Sequence, residues 1–231
     1  LDGRTRLARR LAQLEALFAL PPLRWADGTL AYAFESFKEY DDPTPARHAA
    51  WLLVSRDGRI ADLHAVGFQD AENRVRMQTD TIFRIASQTK AITSAAIMML
   101  LEEGKLSLNQ DVAAFIPSFA KPMVTTRGEG GVETVAAKRT IRIRDLLTHT
   151  AGISYGTDPS VAKLYEAKGL GPAAGAGWYT ADKNEGVCDT MERLGALPFV
   201  SQPGESWVYG YNTDVLGCIV ERISGVPLDA Y

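Results

Sequence analysis

Thr81-Ile-Phe-Arg-Ile-Ala-Ser-Gln-Thr-Lys90 runs into Ala91-Ile-Thr-Ser-Ala-Ala-Ile-Met-Met-Leu-Leu101 and then Glu102, Glu103 and Gly104. Ser87 and Lys90 form an S-x-x-K pair, and on a helix a hydroxyl and an amine three residues apart share a face. The residues that follow are apolar nearly all round, which predicts a helix buried on every side. The two glutamates mark its return to solvent, and Gly104 suits the left-handed position just past a helix end. The pair is therefore expected at the N-terminal mouth of a core helix.

That position has chemical consequences. A serine hydroxyl is a weak nucleophile until a neighbour takes its proton. An amine can take it only when neutral, a form that desolvation favours. The positive end of the helix dipole acts in the same direction and suits a developing oxyanion. S-x-x-K also occurs at Ser118/Lys121 and Ser160/Lys163. The first lies between Pro117 and Pro122 and reads as a loop; the second reads as a solvated helix face with Glu166 nearby. Only Ser87 leads an apolar helix.

The 231 residues allow one large domain or two small ones. With 46% hydrophobic and 23% charged residues, the composition is that of a globular protein. A net charge of −3 argues against nucleic acid as a partner bound through bulk charge. No apolar run reaches the ~20 residues a membrane helix needs, so no transmembrane segment is expected. Cys188 and Cys218 are too few for a disulfide framework and lack metal-ligand spacing, and His48, His64 and His149 form no zinc pattern.

Around the Ser87 segment, residues 1–20 read as an amphipathic helix stopped by Pro21-Pro22, and residues 23–48 carry no clear pattern. Residues 49–55 and 59–66 read as two strands joined at Asp57-Gly58, a strong hairpin signal. Downstream, residues 127–134 read as an exposed glycine-rich loop, 141–143 as a short strand, and 145–149 as a helical turn closed near Gly152. Residues 184–194 read as a helix. A last helix is expected from about Thr213 to Ser224, with Val215, Leu216, Ile219, Val220 and Ile223 at helical spacing and Gly225 beyond its end.

Gly152-Ile-Ser-Tyr-Gly156 matches G-x-S-x-G, the nucleophile elbow of α/β-hydrolases. That elbow needs a strand before the serine and a helix after it, with the histidine later in the chain. Here a helical pattern precedes Ser154 and every histidine comes earlier, so a glycine-bounded loop is the better account. Tyr209 stands just before the last helix; a phenol near an ammonium group and a helix N-terminus is stabilised as phenolate and can shuttle a proton. The alternative is an aromatic that packs with its hydroxyl satisfied.

Several stretches together resemble the serine β-lactamase-like and penicillin-binding-protein-like superfamily, in character nearest to family VIII carboxylesterases. They are Thr81 to Leu106, Ile143-Arg-Asp-Leu-Leu-Thr-His-Thr-Ala-Gly152, Pro203-Gly204, and Tyr209 to Gly217 with Glu221-Arg-Ile-Ser-Gly225 behind it. The resemblance implies a mixed α/β (α+β) fold of β-lactamase/transpeptidase type, a mostly helical domain packed against an antiparallel sheet. Residues 1–86 would hold an N-terminal helix and the first strands of the sheet domain. Residues 87–231 would form the mainly helical domain carrying S-x-x-K and the tyrosine motif.

By the same resemblance Ser87 is the acylated nucleophile, Lys90 its proton acceptor and Tyr209 the tyrosine of a Y-x-N motif, the base that also handles the leaving group. The asparagine comes one place late, at Asn212, with Tyr211 in its usual position; both are expected to bind substrate. The displacement weakens a β-lactamase reading and favours an esterase. The expected activity is cleavage of a small-molecule ester through an acyl-enzyme, with no cofactor or metal. β-Lactamase or D-amino-acid peptidase activity and a non-catalytic penicillin-binding-like sensor are the alternatives. The family places a third motif on a later strand that lines the site. Only two strands are obvious here, and a lone hairpin is marginally stable. A C-terminal continuation, or a second chain, is therefore expected to complete the sheet.

Overall fold

The computed structural model describes residues 23–24, 30–36, 49–56, 59–70, 72–83, 85–171 and 184–231. The helix expected over residues 1–20 lies outside these. The chain divides into two compact units, Leu1–Arg84 and Ile85–Tyr231.

Among the described residues the first unit holds a five-stranded antiparallel sheet in simple up-and-down order: β1 (Leu23–Arg24), β2 (Leu30–Ser36), β3 (Ala49–Arg56), β4 (Arg59–Asp70) and β5 (Val75–Arg76). The hairpin expected at Asp57-Gly58 is present as β3 and β4, paired from Arg56↔Arg59 to Ala49↔Gly67. Strand β2 pairs with β3 from Leu30↔Ser55 to Ser36↔Ala49, in the stretch that carried no clear pattern. The expectation of only two strands is corrected accordingly. The β4–β5 turn is built by Asp70, whose carboxylate accepts the backbone N–H groups of Glu72 and Asn73, each at 3.0 Å, an Asx-type turn.

The second unit is mainly helical: α1 (Thr89–Glu102), α2 (Ile143–Leu147), α3 (Ala162–Glu166), α4 (Val187–Gly195) and α5 (Asn212–Ser224). Helix α5 is its axis. Val215, Leu216, Cys218, Ile219 and Val220 are fully buried, and α1, α2 and α4 all pack on it. It ends as expected, with Gly225 left-handed at φ 75°. Cys188 of α4 and Cys218 of α5 are joined as a disulfide, a pairing that two isolated cysteines did not announce in the sequence.

Three further expectations are corrected. Helix α1 is not buried all round: Thr93, Ile97 and Leu100 form one buried stripe, whereas Ile92, Met98 and Met99 are exposed. Uniform apolarity erased the contrast that would have marked the buried face. Residues 127–134 are not a plain loop but part of a hairpin of β6 (Met123–Gly128) and β7 (Gly131–Ala136). Its Val-Thr-Thr and Val-Glu-Thr-Val runs carry β-branched residues suited to strands, obscured by the glycines of the turn. Residues 141–143 are not a strand: Arg142 makes only an isolated bridge to Asp111, and Ile143 begins α2.

Helix α2 is anchored at its start by Asp145. Its buried carboxylate accepts the Arg142 backbone N–H at 2.9 Å and both terminal nitrogens of Arg139 at 2.6 and 3.0 Å. From there the chain passes through His149 to Gly152, and three backbone bonds lace that strip to residues 200–208. Val200 N–H donates to Gly152 O at 2.9 Å, Gly204 N–H to Thr150 O at 2.7 Å and Val208 N–H to His149 O at 2.7 Å. The segment leading to Tyr209 is thereby fixed against the strip after α2.

Candidate active site

Ser87 sits in a 3₁₀ turn, Ala86–Gln88, directly ahead of α1, and Lys90 lies in the first turn of that helix. The helix mouth expected for the pair is therefore where the structure places it. Lys90 Nζ is 3.3 Å from Ser87 Oγ. The Tyr209 hydroxyl approaches the same oxygen from the far side of the sequence, at 2.8 Å. Lys90 Nζ also lies 4.8 Å from the centre of the Tyr209 ring, within cation–π range. One oxygen, one ammonium nitrogen and one phenol thus converge at the positive end of a helix, with Ser87 exposed and Tyr209 partly so.

Electrostatics favour the phenolate. Partial burial alone raises the Tyr209 phenol, but the hydrogen bonds from Lys90 and Ser87 and the Lys90 charge together outweigh it. The group lies below the ordinary tyrosine value.

Tyr209 can reach Ser87 because its neighbours fit closely. A Cβ at Gly210 would stand 2.2 Å from Ile153 O and 2.5 Å from the Ser154 carbonyl carbon. Only glycine lets the two backbones approach there.

Tyr211 and Asn212, expected to bind substrate, do not reach the surface: both are fully buried. The Tyr211 hydroxyl accepts the Gly171 N–H at 3.1 Å, and its ring meets Tyr155 edge-on at 4.8 Å. The Asn212 amide nitrogen is 3.2 Å from Val208 O, 3.4 Å from Ile153 O and 3.0 Å from His149 Nδ1. The pair packs behind the Tyr209 segment, and the substrate-binding role expected for it stays a proposal beside this bracing one. The shifted asparagine falls on the first residue of α5 and points into the core.

Ser154 is 4% exposed and its Oγ accepts the Gly156 N–H at 3.0 Å. It lies on no strand-to-helix turn, so the nucleophile-elbow geometry is absent there. Ser160 Oγ is held by Asp158 at 2.6 Å and by Thr125 at 3.0 Å, and Lys163 is exposed.

Sequence reasoning gave no role to the aromatic residues around Tyr209. The His149 ring stacks on it at 5.0 Å, Trp207 lies at 5.8 Å and Tyr155 meets it edge-on at 5.6 Å. His149 belongs to the Leu-Leu-Thr-His-Thr-Ala-Gly stretch, but its placement depends on a backbone φ of 56°, which no pattern in the sequence signals.

Residues 37–231 match the β-lactamase family, and the chain belongs to it. Over 181 residues it is 33% identical to the esterase EstB of Burkholderia gladioli, covering 78% of this chain and 42% of that protein. It is 38% identical over 196 residues to an uncharacterised protein of Mycobacterium tuberculosis, covering 84% and 45%. Among solved structures, EstCE1, a hydrolase with promiscuous acyltransferase activity, superposes with a TM-score of 0.60 at 29% identity, covering 78% of this chain and 43% of that one. Simvastatin synthase (LovD) from Aspergillus terreus gives 0.56 at 28% identity, covering 75% and 43%. The chain spans less than half the length of these relatives. The fold is the mixed α/β architecture of the β-lactamase and transpeptidase type, and the characterised relatives named here are hydrolases or acyltransferases.

Proposed function

We propose that the protein is a serine hydrolase that cleaves carboxylic esters through an acyl-enzyme on Ser87. The observation that carries this reading is the convergence of Tyr209 and Lys90 on Ser87 Oγ, at 2.8 and 3.3 Å. The likeness to EstB supports esters as the substrate class.

In the acylation step Tyr209, as phenolate, takes the Ser87 proton while Oγ attacks the ester carbonyl. Lys90, expected as the proton acceptor, instead stabilises the phenolate by charge and hydrogen bond. The Ser87 N–H, at the head of α1, donates to the oxyanion. A second oxyanion donor, from a continuation of the chain or from a second chain, belongs to the same proposal. As the intermediate collapses, Tyr209 passes the proton to the leaving alkoxide and an alcohol departs. Water then adds to the acyl group with Tyr209 again as base, and the proton returns to Ser87 as the carboxylic acid leaves. An alcohol in place of that water makes the same intermediate an acyl donor, a second reading favoured by the likeness to EstCE1 and simvastatin synthase.

The roles of residues 1–86 as sheet domain and 87–231 as catalytic helical domain are part of this proposal. Turnover of p-nitrophenyl acetate and butyrate by the full-length protein, set against nitrocefin, tests it. Ester turnover that disappears in Ser87→Ala and exceeds nitrocefin turnover supports the reading. Nitrocefin turnover in excess would favour a β-lactamase, and no turnover of either a binding domain.

A further inference from the structure

His149 takes no part in the chemistry above, yet the fold expends strain to place it. Its φ of 56° is a left-handed conformation unfavourable for a residue with a β-carbon. Its N–H donates to Leu146 O at 3.2 Å and its C=O accepts the Val208 N–H at 2.7 Å. These bonds turn the ring onto the face of Tyr209, with 5.0 Å between centroids and 28° between planes. On the ring's edge, Nδ1 is 3.0 Å from Asn212 Nδ2.

That contact fits one protonation state best. Asn212 Nδ2 is also within reach of Val208 O and Ile153 O, so the amide is oriented with its nitrogen toward these acceptors. A nitrogen that can only donate requires His149 Nδ1 to accept. The ring is then neutral, with its proton on Nε2.

We propose that His149 is a positioning residue, holding the Tyr209 phenol toward Ser87 only while its ring is neutral, so that protonation of His149 turns the site off. The proposal rests on the role given to Tyr209 above. A protonated ring would present Nδ1–H to the Asn212 N–H, two donors face to face, and the bond would be lost. It would also set a second cation beside Lys90. The groups facing this position are Lys90 from α1, Tyr209 and Trp207 from the segment before α5, and Asn212 of α5, with Tyr155 of the 152–156 strip edge-on to Tyr209; Asp214 of α5 acts on the Tyr209 phenol and not on the imidazole. Burial first, and then the Lys90 charge, hold the imidazole below the ordinary histidine value, against a ring N–H bond to the Val208 carbonyl that favours the charged form. The neutral, active form therefore dominates above about pH 6.5, the ordinary histidine value. Activity is lost as pH falls through the lower pKa of the folded protein.

The test is the pH dependence of kcat/KM for a nitrophenyl ester in the full-length protein, in its His149→Phe and Ser87→Ala variants. Phenylalanine keeps the stack and removes the titration. The expected result is two inflections in the wild type, a rise through the Tyr209 phenol and a lower one from His149, of which only the lower is missing from His149→Phe. That variant should lose tenfold or less in kcat at pH 8, about the weight of one hydrogen bond, with KM little changed. The lower inflection present in both proteins would overturn the proposal. Turnover surviving in Ser87→Ala would instead sink the trio on which it rests. Should His149→Phe fail to fold, ¹⁵N-resolved imidazole NMR of the wild type decides. An Nε2–H tautomer whose titration midpoint coincides with the loss of activity supports the proposal, and an Nδ1–H or charged ring at neutral pH contradicts it.

Discussion

The Tyr209 hydroxyl lies 2.8 Å from Ser87 Oγ, although 122 residues of chain separate the two. Between them the fold lays α2, the 149–156 strip and the 200–208 segment so that a phenol arrives at the head of α1. The distance is that of a hydrogen bond along which a proton can pass.

Tyr209→Phe removes that path and is expected to lower kcat by ~10²–10⁴-fold, the usual weight of a general base. In the proposed mechanism the phenolate is the active form, and the Tyr209 phenol lies below the ordinary tyrosine value. Activity should therefore rise with pH through that lowered value. Lys90→Gln deletes a hydrogen bond and a charge that lower the phenol, so its alkaline limb should move to higher pH. Rate profiles of the three proteins check this; an alkaline limb unmoved in Lys90→Gln would mean that another group titrates.

Gly210→Ala should reduce activity and stability together. The added Cβ would meet the backbone of Ile153 and Ser154 at 2.2–2.6 Å, and neither can step aside as a flexible side chain would. Gly130→Ala is the matched control, because nothing lies within 4 Å of its added carbon. Equal melting temperatures for the two variants would show that the close approach at Gly210 is not rigid.

Asn212→Ala distinguishes a brace from a substrate contact. It strips the donor from the part-buried Val208 O and the buried Ile153 O, and leaving a buried acceptor unmet costs about 1–3 kcal/mol. Stability should fall by roughly that amount, and kcat should fall with it as Tyr209 loosens. A raised KM with unchanged stability would instead support the substrate-binding role that the motif implied.

Much of this site was legible in the chain. An apolar run behind Ser87 located the head of α1, and the spacing before Gly225 located α5 to within a residue. Tyr209 was legible only through its likeness to a motif, because a lone tyrosine before a helix has no period to betray it. The substrate roles expected for Tyr211 and Asn212 came from that same motif. Their side-chain directions depend on how Gly210 lets the segment bend, a property of packing rather than of residue type. The buried stripe of α1 and the hairpin of β6 and β7 were obscured for opposite reasons. In one every position is apolar, so no face stands out; in the other, glycines at the turn outweighed the β-branched residues beside it.

The Cys188–Cys218 bond spans 30 residues and joins α4 to the helix that follows Tyr209. By the loop-entropy relation its loss should cost about 3.5 kcal/mol. Thermal unfolding of the wild type and of a Cys188→Ala/Cys218→Ala variant, with and without reductant, measures it. The wild type alone should respond to reductant; no response in either would mean that the two thiols are unpaired.

The assignment of Ser87 as nucleophile is tested most directly by intact-mass analysis and peptide mapping after exposure to a fluorophosphonate. One adduct per chain is expected, on the peptide containing Ser87, and absent from Ser87→Ala. An adduct on Ser154 or Ser160, with Ser87 unmodified, would contradict it.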